Sequence, residues 1–108
     1  MNRARFDPHT AQSAHQNTIL ASDVLPPGVP APFAHAWGYL SAPGTMETHA
    51  HPTQEVYFFF KGEGLVMVDG ETQPVAPGDV IHIPPNAPHT VINERDAELL
   101  WAALWWKE

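Results

Sequence analysis

The sequence predicts an all-β domain, a sandwich or closed barrel, on three observations. Apolar segments are short and tend to alternate along the chain, which is the period of a strand and not of a helix. The breaks between them are rich in glycine and proline, 7 and 12 residues of 108. No stretch carries helical spacing over a useful length. Many short strands divided by turns are packed most economically as two sheets or one closed sheet.

The elements follow in order. Residues 1 to about 18 are polar and unpatterned and read as a mobile tail, with a strand added to a partner's sheet as the alternative. Leu25-Pro26-Pro27-Gly28-Val29-Pro30-Ala31-Pro32 cannot join a regular ladder, because proline lacks the N–H donor. Residues 1–32 are thus assigned as an N-terminal tail and connector, with partner contact as an alternative role, and residues 33–108 as a single domain. Within that domain Phe33–Tyr39 alternates large and small side chains. Strands are predicted at 55–60, 65–68, 72–75, 80–83, 89–93 and 98–106. Asp69-Gly70 is a favoured hairpin dipeptide between the second and third of these. Pro84-Pro85-Asn86-Ala87-Pro88 halts the strand before it.

The chemistry is concentrated in His49-Ala50-His51-Pro52-Thr53-Gln54-Glu55, answered 34 residues after Glu55 by His89. Three imidazoles and one carboxylate are a suitable ligand set for a divalent transition metal. Side chains two apart on a strand share a face, so His49 and His51 project together. Glu55 opens the next strand, and His89 must arrive from a distant one folded across the same cavity. The wider pattern is Gly44-x4-His49-x-His51-x3-Glu55-x6-Gly62, then, after 15 intervening residues, Gly78-x5-Pro84-x-Asn86-x2-His89-x3-Asn93. These two segments closely resemble the two motifs of the cupin superfamily. Two departures stand out: the stretch before His49 is one residue short, and Asn86 replaces the usual glycine. Asparagine tolerates positive φ better than most residues, so the second departure is mild. The resemblance implies a jelly-roll β-barrel (a double-stranded β-helix) with His49, His51, Glu55 and His89 as metal ligands. Gly62, Gly78, Pro84 and Asn86 then set turns and carry no chemistry.

Strand parity assigns the surroundings. Glu47, His49 and His51 are placed on one face, Glu55, Tyr57 and Phe59 on another, and His89, Val91 and Asn93 on a third. Facing the interior, Tyr57, Phe59 and Val91 would wall the metal with mostly apolar groups, and Asn93 would join them. His35, Trp37 and Tyr39 share a face that either packs in the sheet or lines the substrate pocket. Tyr57 and Glu47 are the candidate proton carriers near the ligands. His82 stands at no ligand spacing and reads as structural. Trp101, Trp105 and Trp106 read as core and interface residues. Phe58 and Phe60 point outward and call for a cover, either the N-terminal segment or, preferred here, a second copy in a homodimer.

Composition removes several functions. The net charge is −7 with only five Lys or Arg, which leaves no basic patch for nucleic acid and no clamp for a phosphorylated substrate. No apolar run reaches the roughly 18 residues of a membrane helix, and the N-terminus lacks a secretory pattern. The absence of cysteine fits a reducing cytoplasm and excludes thiolate ligands. The sequence therefore points to a cytoplasmic, single-domain protein binding one divalent ion, Fe, Mn, Ni, Cu, Co or Zn, and a small organic molecule. The favoured activity is that of a metal-dependent dioxygenase on a largely uncharged substrate. A non-redox isomerase or lyase, and a non-catalytic binding module, are the alternatives.

Overall fold

The computed structural model describes residues 1–107. Its strands are β1 (Gln12–Ala14), β2 (Ile19–Ser22), β3 (Ala34–Leu40), β4 (Gly44–Thr45), β5 (Gln54–Lys61), β6 (Gly64–Val68), β7 (Glu71–Val75), β8 (Val80–Ile83), β9 (His89–Asn93) and β10 (Leu99–Trp106). They form a six-stranded sheet in the order β1-β2-β3-β10-β5-β8 and a four-stranded sheet in the order β4-β9-β6-β7. Every pairing is antiparallel. The predicted strands from residue 33 onward are all present, within a residue or two at each end. The core lies between the sheets, where Ile83, Val91, Leu99, Met46 and Trp101 are buried.

Alternation fixes the inward face of β5, where Glu55, Tyr57 and Phe59 are buried and their neighbours are not. On β3 the inward residues are the smaller ones. A Cβ on Gly38 would collide with the Trp101 indole from β10, so the backbone of β3 passes directly over that ring. His35, Trp37 and Tyr39 consequently face outward. Asp69-Gly70 turns the β6–β7 hairpin with positive φ at both residues, 49° and 86°, and Asn86 takes φ 67°. Both fit the turn chemistry expected of those residues.

The N-terminal segment departs from expectation. Residues 12–22 are not a tail: β1 pairs with β2, and β2 pairs with β3 of the same chain. The turn between them is made by His15, Gln16 and Asn17, all with left-handed φ of 51°, 59° and 63°. That conformation costs a non-glycine residue roughly 1–2 kcal/mol. Earlier in the chain, Phe6 packs against Trp37 and Tyr39 on the outer face of the sheet, with ring centroids 6.1 and 5.0 Å apart. The N-terminal cover therefore exists at that end, while Phe60 and Val80 stay exposed on the outer face.

A second departure is local and has larger consequences. Thr45 pairs with Ile92 and Met46 N–H donates to the Val91 carbonyl at 2.9 Å. Three residues later His49 pairs with His89, through N–H to carbonyl bonds of 3.1 and 2.9 Å in the two directions. Three steps on one side match two on the other, which is a β-bulge. The bulge reverses the parity of the segment, so Met46 and His49 both face the interior and Glu47 does not line it.

Candidate metal centre

Four side chains converge inside the barrel at the end of β5. His49 enters on the bulged segment, His51 on the connection to β5, Glu55 on β5 and His89 on β9. One donor atom from each lies within 4.8 Å of all the others. His89 is fully buried and Glu55 nearly so, while His49 and His51 are half-buried.

Backbone and hydroxyl partners aim the rings. His49 Nδ1 is 2.8 Å from the Glu47 carbonyl and His89 Nδ1 is 2.9 Å from the Ala87 carbonyl. A carbonyl only accepts, so both Nδ1 atoms carry the proton and both Nε2 atoms present lone pairs. His51 Nδ1 meets the Thr53 hydroxyl at 2.7 Å, leaving its Nε2 toward the centre. Such outer partners are what fix tautomer and ring plane in metal-ligating histidines. The loop carrying Ala87 is anchored in turn, since Asn86 N–H donates to the His51 carbonyl at 2.7 Å.

The donor set fits a metal on a specific observation. His89 Nε2 is buried and has no hydrogen-bond partner among the described residues, although Glu55 Oε1 stands 3.1 Å away. With Nδ1 protonated, that contact sets an imidazole lone pair against a carboxylate oxygen. A proton on Nε2 would relieve it for this pair alone, whereas a metal ion between them relieves it and also satisfies the other two imidazoles that converge there. Glu55 Oε1 is also 2.9 Å from His51 Nε2. Two ligands at about 2.1 Å from one ion and at right angles to each other stand about 3.0 Å apart, so both spacings match neighbouring positions around a first-row ion.

A cavity of about 100 Å³ opens onto the cluster. Its walls are mostly apolar and aromatic, including Ile19, Met46, Trp101 and Trp105. Tyr57 lines it, and among the described residues no Lys or Arg does. A larger open cleft of about 460 Å³ lies by β7 and β8 and contains none of the four ligands.

The other candidate residues are distributed unevenly. Tyr57 is buried in the cavity wall, its ring 5.9 Å from that of His89. Glu47 is not among the cavity-lining residues; its carbonyl holds the His49 ring and its carboxylate acts by charge on His15. His35 is not at the cavity: its Nδ1 accepts from Val24 N–H at 3.0 Å. Trp37 borders the cavity, but its ring packs edge-on to Phe60 at 5.2 Å. Tyr39 is buried under Phe6 and donates to Glu98 Oε2, which Lys61 Nζ also approaches through Oε1 at 2.7 Å. Phe59 and Val91 belong to the core beyond the cavity wall. Asn93 is a structural clip, donating to the Leu40 and Ala97 carbonyls and accepting from Arg95 N–H. His82 is exposed and bonded to Gln54 at 2.7 Å, in keeping with a structural role.

Sequence reasoning missed His15. Its ring stacks on that of His49 with centroids 4.0 Å apart and planes 23° apart, and it lines the cavity mouth. The only signal was a histidine in an otherwise unpatterned segment. Partial burial lowers the pKa of His49, and desolvation of the otherwise exposed His15 ring lowers its pKa as well; Glu47 partly opposes this, through its charge at His15 and its carbonyl at His49.

Both tyrosines of the chain titrate high. Burial raises Tyr57 well above the ordinary phenol value, and the Glu55 charge adds to the rise. Burial, followed by the hydrogen bond and charge of Glu98, raises Tyr39 to about 12. A pKa raised by folding gives stability that is complete below the unfolded value and lost as pH climbs through the folded one. The folded protein is therefore expected to show no phenolate absorbance near the usual phenol pKa of about 10. Phenolate should appear together with loss of the far-ultraviolet β signal. A phenolate midpoint near 10 in protein that is still folded would contradict these environments.

Fold and cluster together define a small double-sheet jelly roll with a three-histidine, one-carboxylate centre. The cupin domain model matches residues 39–106, and the chain belongs to the cupin family. Among solved structures, a cupin 2 conserved barrel domain protein from Salinispora arenicola is 27% identical with a TM-score of 0.86, covering 99% of this chain and 89% of that one. The plu4264 protein from Photorhabdus luminescens is also 27% identical, with a TM-score of 0.81 and coverage of 100% and 90%. The uncharacterised protein MJ1618 of Methanocaldococcus jannaschii is 44% identical over 46 residues, which are 42% of this chain and 37% of that protein's length. No helix of the described residues is long and apolar enough to cross a membrane.

Proposed function

We propose that the protein is a metal-dependent oxidoreductase of the dioxygenase type, acting on a small, largely uncharged organic substrate and working as a cytoplasmic homodimer. One observation carries the reading: a four-donor cluster at the base of an apolar cavity that offers a substrate no ionic anchor. His49, His51, Glu55 and His89 would hold the ion. Bound there, a redox-active divalent metal supplies Lewis-acid and oxygen-activating chemistry at its remaining positions. Glu47, Ala87 and Thr53 hold the imidazoles in their ligating orientation. Trp101, Trp105 and Ile19 keep water from the cavity. The exposed Phe60 and Val80 supply an apolar outer face for the second copy.

A non-redox isomerase or lyase has one observation in its favour. Tyr57 keeps its proton at neutral pH and sits in the cavity wall, so it is a hydrogen donor there and not a base. The test loads the protein separately with Fe, Mn, Ni, Cu, Co and Zn. Oxygen consumption and product formation are then followed over a panel of small neutral organic compounds, with light scattering on the same samples. The expected result is turnover coupled to oxygen uptake with a redox-active ion, from a particle of twice the chain mass. Equal turnover without oxygen would overturn the oxygenase reading in favour of the isomerase or lyase, and a monomeric mass would remove the dimer.

A further inference from the structure

We propose that His15 is a positioning residue of the metal centre, and that the β1–β2 hairpin is built to deliver it. The inference rests on the metal-binding reading above. His49 reaches the cluster from the solvent side and is only half-buried. One side of its ring meets the edge of His89 at 4.2 Å, with planes at 61°. The His15 ring lies nearly parallel to it at 4.0 Å, so the imidazole of His49 is in ring contact with two others, one stacked and one edge-on.

The hairpin is tied to the ligand segment by bonds as well as by the stack. Thr18 Oγ1 donates to the His15 carbonyl at 2.6 Å, and the Glu47 N–H donates to that same Thr18 hydroxyl at 2.9 Å. The Glu47 carbonyl then accepts from His49 Nδ1. The path from His15 through Thr18 and Glu47 to His49 closes into a ring, completed by the stacked imidazoles. This connection gives a purpose to three successive left-handed non-glycine residues. A hairpin needing only to reverse direction has less strained turns available. An observed backbone outlier beside a site is a reason to look for a role there. The strained turn carries the His15 ring over the mouth of the cavity, where it fixes the plane of His49 and covers its open side.

The test measures metal release, independent of any catalytic activity. Co-loaded wild type, His15→Asn and His15→Phe are mixed with excess EDTA, and loss of the Co absorption is followed. Asparagine tolerates left-handed φ, so His15→Asn removes the ring and keeps the turn. Outer partners of metal ligands are typically worth 10–100-fold, and release from His15→Asn should be about tenfold faster than from wild type. His15→Phe should be close to wild type, because stacking and not a ring nitrogen does the positioning. The metal-free melting temperatures of the three should agree. Equal release rates from wild type and His15→Asn would overturn the proposal, as would fast release from His15→Phe. A wild type that takes up no Co would overturn the metal-binding reading, and this inference with it.

Discussion

Gly62→Ala is expected to cost about 4 kcal/mol or more, the range reached only by severe core or backbone defects, and to leave little folded protein. Gly62 has φ +82°, and a Cβ there would run into the carbonyl of Glu98. That carbonyl belongs to backbone, so no side-chain rotation relieves the collision. It cannot retreat easily either, because the next residue, Leu99, is fully buried at the start of β10. Gly70 provides the internal comparison. Its φ is +86°, yet a Cβ there meets nothing within 4 Å. Gly70→Ala should therefore cost only the conformational strain, about 1–2 kcal/mol. Denaturant midpoints of the two variants separate clash from strain. Similar midpoints would mean that the approach of Glu98 to Gly62 is not a constraint on the fold.

The second large effect concerns the metal. An ion that binds only the folded chain adds about 2.7 kcal/mol at a hundredfold excess over its dissociation constant. For a domain of this size that raises the melting temperature by about 10–20 °C. The wild type should show this rise and retain a single ion per chain after dialysis. A His51→Ala/His89→Ala double variant should show neither. His89 is fully buried, so the double variant will melt lower even without metal. The informative quantity is the metal-induced rise in each protein, not the absolute temperature. A comparable rise in both would overturn the ligand assignment.

How much of this was legible in the sequence depends on how local the determining interaction is. The strands from β5 to β10 were legible because each is bounded by its own Gly, Pro or Asn turn, and β5 alternates cleanly. The four ligands were legible because three lie within seven residues and the fourth stands at a recognisable spacing. Parity failed wherever it was extended past an irregularity. The bulge between Met46 and His49 breaks the alternation that put Glu47 and His49 on one face, and nothing in Met46-Glu47-Thr48 announces an extra residue. On β3 the sequence left open whether the face of His35, Trp37 and Tyr39 lines the pocket or packs in the sheet; Trp101 from β10 fills the space over Gly38 on the inner face. That exclusion depends on a partner more than 60 residues away. The β1–β2 hairpin was hidden for another reason. Its turn is made of His15, Gln16 and Asn17 without a glycine, and Gln12-Ser13-Ala14 shows no apolar alternation. Its place is set by pairing with β3 and by the hydroxyl of Thr18.

Glu55 is the single carboxylate of the cluster, and this makes the cavity a filter for charge. A divalent ion held by three neutral imidazoles and one carboxylate retains one uncompensated positive charge. The described cavity wall has no other ionised side chain to balance it, and unpaired charge away from water is costly. A guest that brings or develops one negative charge leaves the whole centre neutral, whereas a dianion would leave it charged again with the opposite sign. Under the proposed function, neutral molecules that give up a single proton on binding would therefore be the favoured occupants, since only they leave the buried centre without net charge.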